Sequence, residues 1–370
     1  MKKKLFSLIS AITMIFTLTP TITIAENKTS KETLKIMPIG DSITHGYQSS
    51  GGYRKYFCYY FGSDNKYDFD MVGPNSDYPE TYEYNGETVT YDSNHCGYSG
   101  YAIQYMEGTE TRQGILETLQ NGNYLQTYDP DIIMLQIGTN DILSAYNDGI
   151  TDRLENLINY ISDNTNDDAV IFVNTIPYID AVKVYDWCWA YGEEKFNNTP
   201  EDFNEIINEY VDRYNASIPV LVDKLQDEGK NVEFMDIYGR LKKTNLLEDG
   251  VHPTEKAYNI IGLLWAGEIE HYLDIKKVID EINSTAECPY RISDLVSLSN
   301  YILGRNNHQI TNENYSLYDI NKDGILNIFD LTLLKQTFIE KYCQSRKITT
   351  GSSSSSTVIK AKNSEISEIE

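Results

Sequence analysis

Three separated residues could act as one acid–base chain if folding brings them together. The apolar run in "IMPIGDSITHGY" (36–47) stops at Gly40-Asp41-Ser42, and a buried strand ending in a small polar turn presents one hydroxyl at the sheet edge where α/β folds keep their sites. Gly, Asp and Ser also form ordinary turns, so Ser42 alone decides nothing. Far downstream, "EDGVHPTEKAY" (248–258) places Asp249 and His252 on one short loop. A serine hydroxyl is a weak nucleophile until a base removes its proton. Neutral imidazole can do so near neutral pH, and a carboxylate on the other ring nitrogen fixes the tautomer and steadies the imidazolium. Acyl transfer by such a chain also needs donors for the developing oxyanion. The amides of Ser42 and of Gly97, in "HCGYSGYAI" (95–103), and the side-chain amide of Asn140, in "QIGTND" (136–141), are the candidates. Each has a plainer reading: a loop glycine, a helix-capping asparagine, and polar residues ahead of a helix opened by Pro253.

Five histidines compete for the base. His45 sits in the Ser42 turn itself, His95 lies two residues before Gly97 where it would line the cleft, His271 falls at a helix end, and His308 belongs to a different region. His252 remains. Short apolar runs at 34–40, 67–73, 131–138, 169–177 and 231–238 predict strands, and amphipathic runs at 114–122, 150–164, 202–218 and 253–273 predict helices. In the last, Ala257, Ile260, Ile261, Leu264 and Trp265 share one face. Near-continuous apolar strands alternating with helices predict a three-layer α/β/α sandwich with a parallel, flavodoxin-like sheet. Ser42, Gly97 and Asn140 would follow successive strands, so that one edge of the sheet gathers them.

Around this core, residues 1–25 combine Lys2–Lys4, an apolar stretch and Thr23-Ile24-Ala25, the pattern of a secretory signal, with an uncleaved anchor as the alternative. The formal net charge of −24 disfavours nucleic acid and anionic membrane surfaces as partners and is compatible with a neutral substrate. Thirty tyrosines suit either a wet, sugar-binding surface or half-buried packing; Trp187 and Trp189 carry the same two readings. Cys58, Cys96, Cys188, Cys288 and Cys343 have no zinc-site spacing, and a Cys288–Cys343 clasp or two free thiols are both open.

After a boundary at 276–282, "ISDLVSLSNYILG" (292–304) aligns with "IFDLTLLKQTFIE" (328–340), pairing Asp294 with Asp330 and Leu298 with Leu334. Ahead of the second copy, Asp319, Asn321, Asp323, the Ile325 carbonyl, Asn327 and Asp330 stand at the ligand positions of an EF-hand-type calcium loop with Gly324 at its turn. The first copy offers Asn283, Thr285, Glu287, Cys288 and Arg291 in corresponding places, and the arginine opposes a cation, so one calcium ion is expected rather than two. The tail 346–370 is serine-rich and too polar to fold alone.

The ordered blocks Gly40-Asp41-Ser42-Ile43, Gly97, Gly138-Thr139-Asn140-Asp141 and Asp249-Gly250-Val251-His252-Pro253 resemble those of the SGNH (GDSL) hydrolase superfamily over about residues 33–275. That resemblance implies a serine hydrolase with no catalytic cofactor: Ser42 the nucleophile, Ser42, Gly97 and Asn140 the oxyanion hole, Asp249 and His252 the rest of the triad. "HCGYSGY" is similar to carbohydrate esterase family 3, the acetyl xylan esterases. Residues 283–345 resemble a type I dockerin, with Asp330 where a calcium-binding hand usually has Glu; a cohesin of a scaffold protein is then the implied partner, and a calcium-stabilised cap the alternative. The expectation is a secreted serine esterase that removes O-acetyl groups from plant cell-wall polysaccharide, acetylated xylan first, and docks to a cellulosome. An esterase for acetylated pectin, a lipid-type acyl hydrolase and a non-catalytic carbohydrate-binding component are the rivals.

Overall fold

Five parallel strands run in the order β2-β1-β6-β7-β8: β1 Leu34–Gly40, β2 Phe69–Met71, β6 Ile132–Gln136, β7 Val170–Asn174 and β8 Val232–Met235. The computed structural model describes residues 33–345, apart from 109–110, 147–148, 189–190, 192–194, 196, 242–248, 285–291, 303–309 and 311–314. Every residue of β6 and β7 is buried, as expected of parallel strands with helices on both faces. All five expected strands are present, each within its expected bounds. Strand order reverses between β1 and β6, and ligands of open α/β sheets bind in the crevice beyond the carboxyl ends at such a reversal.

The helices follow the expected apolar spacing. Ile150–Asp163 buries Leu154, Leu157, Ile158 and Ile161 on one face. Pro200–Asp227 opens with Thr199 and Asp202 capping each other reciprocally. It runs on past Pro219, where a helix normally breaks, because Leu221, Val222 and Leu225 continue the buried stripe begun by Phe203 and Ile207. Glu255–Ser284 likewise extends through 276–282, the expected linker, and leaves His271 inside the helix rather than at its end. Its Gly262 has no room for a side chain, since a Cβ there would meet the Tyr53 carbonyl oxygen at 2.6 Å.

Two features were not anticipated. Gly52–Gly62 is a helix whose polar Arg54 and Lys55 are both buried. Strands β3 Thr81–Tyr84 and β4 Glu87–Thr90 form an antiparallel hairpin around Asn85-Gly86, both at positive φ, the turn chemistry that a two-residue hairpin favours. The short strand β5, Cys96–Gly97, pairs with the end of β1, Gly40 against Gly97.

The chain divides into two compact units with a boundary near residue 270. In the C-terminal unit, Leu298, Ile310, Tyr318, Leu326, Leu331 and Leu334 form one core, so the duplicated Leu298 and Leu334 are both buried. Among the described residues, no helix is long and apolar enough to cross a membrane. The leader 1–25, the tail 346–370, Trp189, Cys288, His308 and the first-copy positions Thr285, Glu287 and Arg291 lie outside the described residues. Cys58, Cys96 and Cys188 are all buried, Cys58 and Cys96 as free thiols.

Candidate active site

Ser42 opens the short helix Ser42–His45 directly after β1. Asp41 caps that helix, its Oδ1 accepting the Ile43 amide hydrogen at 2.9 Å, and burial pushes the Asp41 carboxyl up to about 7. The approach of β1 to β6 requires Gly40: a Cβ there would stand 2.2 Å from the Gln136 carbonyl oxygen. Buried Arg54 donates to the carbonyls of Thr44 and His45, placing a cation where the helix exposes unpaired acceptors.

His252 reaches this serine from the opposite end of the domain sequence. Its Nε2 lies 2.7 Å from Ser42 Oγ and its Nδ1 lies 2.8 Å from Asp249 Oδ2. The other Asp249 oxygen accepts the amides of Val251 and His252, each at 3.0 Å. Burial alone would raise the Asp249 carboxyl, but those amides and the imidazole outweigh it and hold the group below the ordinary carboxylate value. Gly250, at φ +79, makes the tight turn between the two residues. The expected triad is thus one continuous hydrogen-bonded chain.

Asn140 follows β6 in the helix Thr139–Ala145, 6% exposed. Its Nδ2 donates to the Tyr101 carbonyl at 2.9 Å; a side-chain amide carries two hydrogens, so one is held and one remains for an oxyanion. Next to it, buried Asp141 bridges the Ile103 amide and Arg153, with burial lifting its carboxyl to about 6.

Gly97 stands beside the Ser42 helix, where a Cβ would meet His45 N at 2.7 Å. Its amide, however, donates to His95 Nδ1 at 3.0 Å. As the site stands this donor is occupied, and it serves an oxyanion only by leaving or sharing the imidazole. His95 is 1% exposed rather than lining an open cleft, and burial drives its pKa down to about 4. Asp77, beside it, ionises despite partial burial, because His95 and the Arg54 guanidinium, 2.5 Å away, hold its carboxyl at about 2.

Ligand-type atoms of His45, Asp77 and His95 lie within 4.8 Å of one another, yet the cluster does not suit a cation. With Nδ1 of His95 accepting from Gly97, the ring proton sits on Nε2, the atom that faces Asp77 at 3.8 Å. Sequence reasoning missed this network, because a fully buried arginine leaves no periodic signal. It also missed the loop after Gly46, in which Gln48 Nε2 donates to Asp249 Oδ2 at 3.3 Å and the Tyr47 ring centroid lies 4.5 Å from that of His252. Trp187 is 41% exposed on its own loop.

A serine, an imidazole and a carboxylate in a single chain, beside an asparagine donor at the sheet's reversal, is an arrangement that comparison with other proteins can place. The profile of GDSL-like lipases and acylhydrolases matches residues 36–265. The chain belongs to this GDSL family. The chain is 38% identical over 243 residues to a multidomain esterase of Ruminococcus flavefaciens, covering 65% of this chain and 29% of that protein. It is 27% identical over 159 residues to a putative endoglucanase X of Acetivibrio thermocellus, covering 42% of this chain and 56% of that protein. The GDSL chain therefore spans well under two thirds of either curated relative. A family 3 carbohydrate esterase of Clostridium thermocellum is similar in structure, with 25% identity, 65% of this chain and 99% of that one covered, and a TM-score of 0.45.

A type I dockerin profile matches residues 291–339. The loop there suits calcium: carboxylate oxygens of Asp319, Asp323 and Asp330 lie within 4.8 Å of one another, Gly324 turns at φ +84, and the donor set is entirely oxygen. Asp330 is fully buried, its Oδ1 accepting the amides of Ile320 and Asn321 and its Oδ2 that of Asn327. Asn321 and Asn327 flank it in the same loop, with the Ile325 carbonyl between them.

Proposed function

We propose that this GDSL protein is an exported serine esterase that removes O-acetyl groups from a neutral plant cell-wall polysaccharide, acetylated xylan first, and that its C-terminal module docks to a cohesin of a cellulosome scaffold. The observation that carries the chemistry is the unbroken chain Ser42–His252–Asp249, with links of 2.7 and 2.8 Å. Ser42 Oγ attacks the acetyl carbonyl as His252 Nε2 takes its proton, and Asp249 stabilises the imidazolium. The tetrahedral oxyanion is met by the Ser42 amide and the second Asn140 hydrogen, joined by the Gly97 amide once it parts from His95. Collapse expels the sugar oxygen, which recovers the proton from His252. Water, deprotonated by the same imidazole, then releases acetate from acetyl-Ser42.

A net charge of −24 argues against anionic pectin and for a neutral glycan. In this reading residues 1–25 direct export, 33–275 form the catalytic domain and 283–345 the docking module. One calcium ion would be held by Asp319, Asn321, Asp323, the Ile325 carbonyl, Asn327 and Asp330, where it would order the loop of the docking module. Acetate release from a panel of acetylated xylan, pectin and long-chain acyl esters tests the proposal. Release from xylan by the wild type and none by Ser42→Ala supports it; equal release by both removes Ser42 from the mechanism, and preference for long acyl chains removes the deacetylase.

A further inference from the structure

We propose that Tyr47 is a sugar-binding platform: its open face stacks on the pyranose ring that bears the ester, and it makes the enzyme favour esters on polysaccharide over esters of small alcohols. The inference rests on the deacetylase reading and adds to it the place where the sugar lies. In that mechanism the leaving oxygen must receive its proton from His252 Nε2, so the ring carrying this oxygen extends past the imidazole. Tyr47 is an exposed aromatic ring packed against that imidazole. The two ring centroids are 4.5 Å apart with the planes tilted by 40°, and Tyr47 remains 45% exposed. Part of the ring covers the imidazole and the rest is open to solvent. Ser42 and Asn140, by contrast, are each 6% exposed, which leaves little space around the acyl group and keeps the bulk of a polysaccharide substrate outside, where exposed Tyr47 is available to it.

The backbone that carries the ring is also held in advance. The Tyr47 amide donates to the Ser42 carbonyl at 2.9 Å, directly after Gly46 closes the nucleophile helix in a left-handed turn. Gln48, at φ +61, ties the next residue to Asp249, and Ser49 Oγ bonds Glu255 at 2.5 Å. A platform on a backbone fixed before binding loses less entropy when a sugar settles on it. A flat, uncharged, amphipathic face suits the C–H face of a neutral pyranose.

The test compares full-length wild type, Tyr47→Phe and Tyr47→Ala on acetylated xylan and on 4-nitrophenyl acetate, with thermal melts to establish folding. Tyr47→Ala is expected to lose about tenfold more kcat/KM on the xylan ester than on the small ester, chiefly through KM, and Tyr47→Phe to keep the wild-type preference. A second arm needs no turnover: in a Ser42→Ala background, adding Tyr47→Ala is expected to weaken binding of a xylo-oligosaccharide by about the same factor. Equal losses on the two esters, or unchanged oligosaccharide binding, would assign Tyr47 to packing the imidazole and overturn the platform. Failure of the wild type to hydrolyse either ester would sink the hydrolase reading instead, while the binding arm still decides the role of Tyr47.

Discussion

The amide hydrogen of Gly97 points at Nδ1 of His95, 3.0 Å away. A ring that accepts this bond must be neutral, and burial keeps it so down to about pH 4. An exposed histidine in the unfolded chain titrates near 6.5. Between those values the unfolded chain binds the extra proton, so the contribution of His95 to stability is complete above pH 6.5 and is lost as pH falls toward 4. Urea melts of wild type and His95→Gln should diverge over this window, the wild type losing up to about 3 kcal/mol relative to the variant. A pH-independent difference would mean that His95 is not buried neutral.

Asn140 has one amide hydrogen held by Tyr101 and the other available. Asn140→Ala should lower kcat for acetate release by ~100- to 1,000-fold with little change in KM. A change in KM alone would place Asn140 in ground-state binding.

Asp249 fixes the His252 tautomer while its second oxygen is saturated by two amides. Asp249→Ala should cost roughly 10,000-fold in kcat. Gln48→Ala, which removes only a 3.3 Å bond to the same carboxylate, should cost a few-fold at most, measured on one small ester to exclude sugar effects.

Gly40 has a backbone carbonyl oxygen 2.2 Å from where a methyl group would sit. Gly40→Ala should destabilise the fold by about 3 kcal/mol or more, because neither the buried end of β1 nor the fully buried β6 can shift without disturbing the core. Denaturant midpoints check this.

Calcium should bind the C-terminal loop with a stoichiometry of one by calorimetry. Asp319→Ala or chelation should abolish that binding and speed amide hydrogen exchange across Ile328–Ser345, whose first turn supplies Asp330, while acetate release is unaffected. Two ions per chain would restore the first copy as a functional site.

Much of this was legible before the fold was known, and for identifiable reasons. Strands β1, β6 and β7 announce themselves because burial on both faces demands near-continuous apolar runs, and the hydrogen-bonded chain Ser42–His252–Asp249 because its members sit at abrupt ends of such patterns. The helix Gly52–Gly62 was illegible because its buried face includes Arg54 and Lys55, whose burial depends on partners distant in sequence: Ser93, Asp77 and Glu255. The hairpin of β3 and β4 had its Asn85-Gly86 signal, yet most of its residues are exposed and so lack apolar alternation. Helix ends were misjudged at Pro219 and at 276–282, where local preference for a stop yields to a continuing pattern. The engagement of Gly97 with His95 has no sequence signature, since it depends on a ring turning back on its own chain.

The reversal of strand order between β1 and β6 separates what must be conserved from what can vary. Reactive groups arrive on segments leaving the carboxyl ends of the sheet, so the loop carrying Tyr47 or the hairpin at 81–90 can be exchanged or lengthened while the buried ladder beneath stays intact. New substrate preferences are therefore accessible to this scaffold through surface grafting alone, with no renegotiation of the interior.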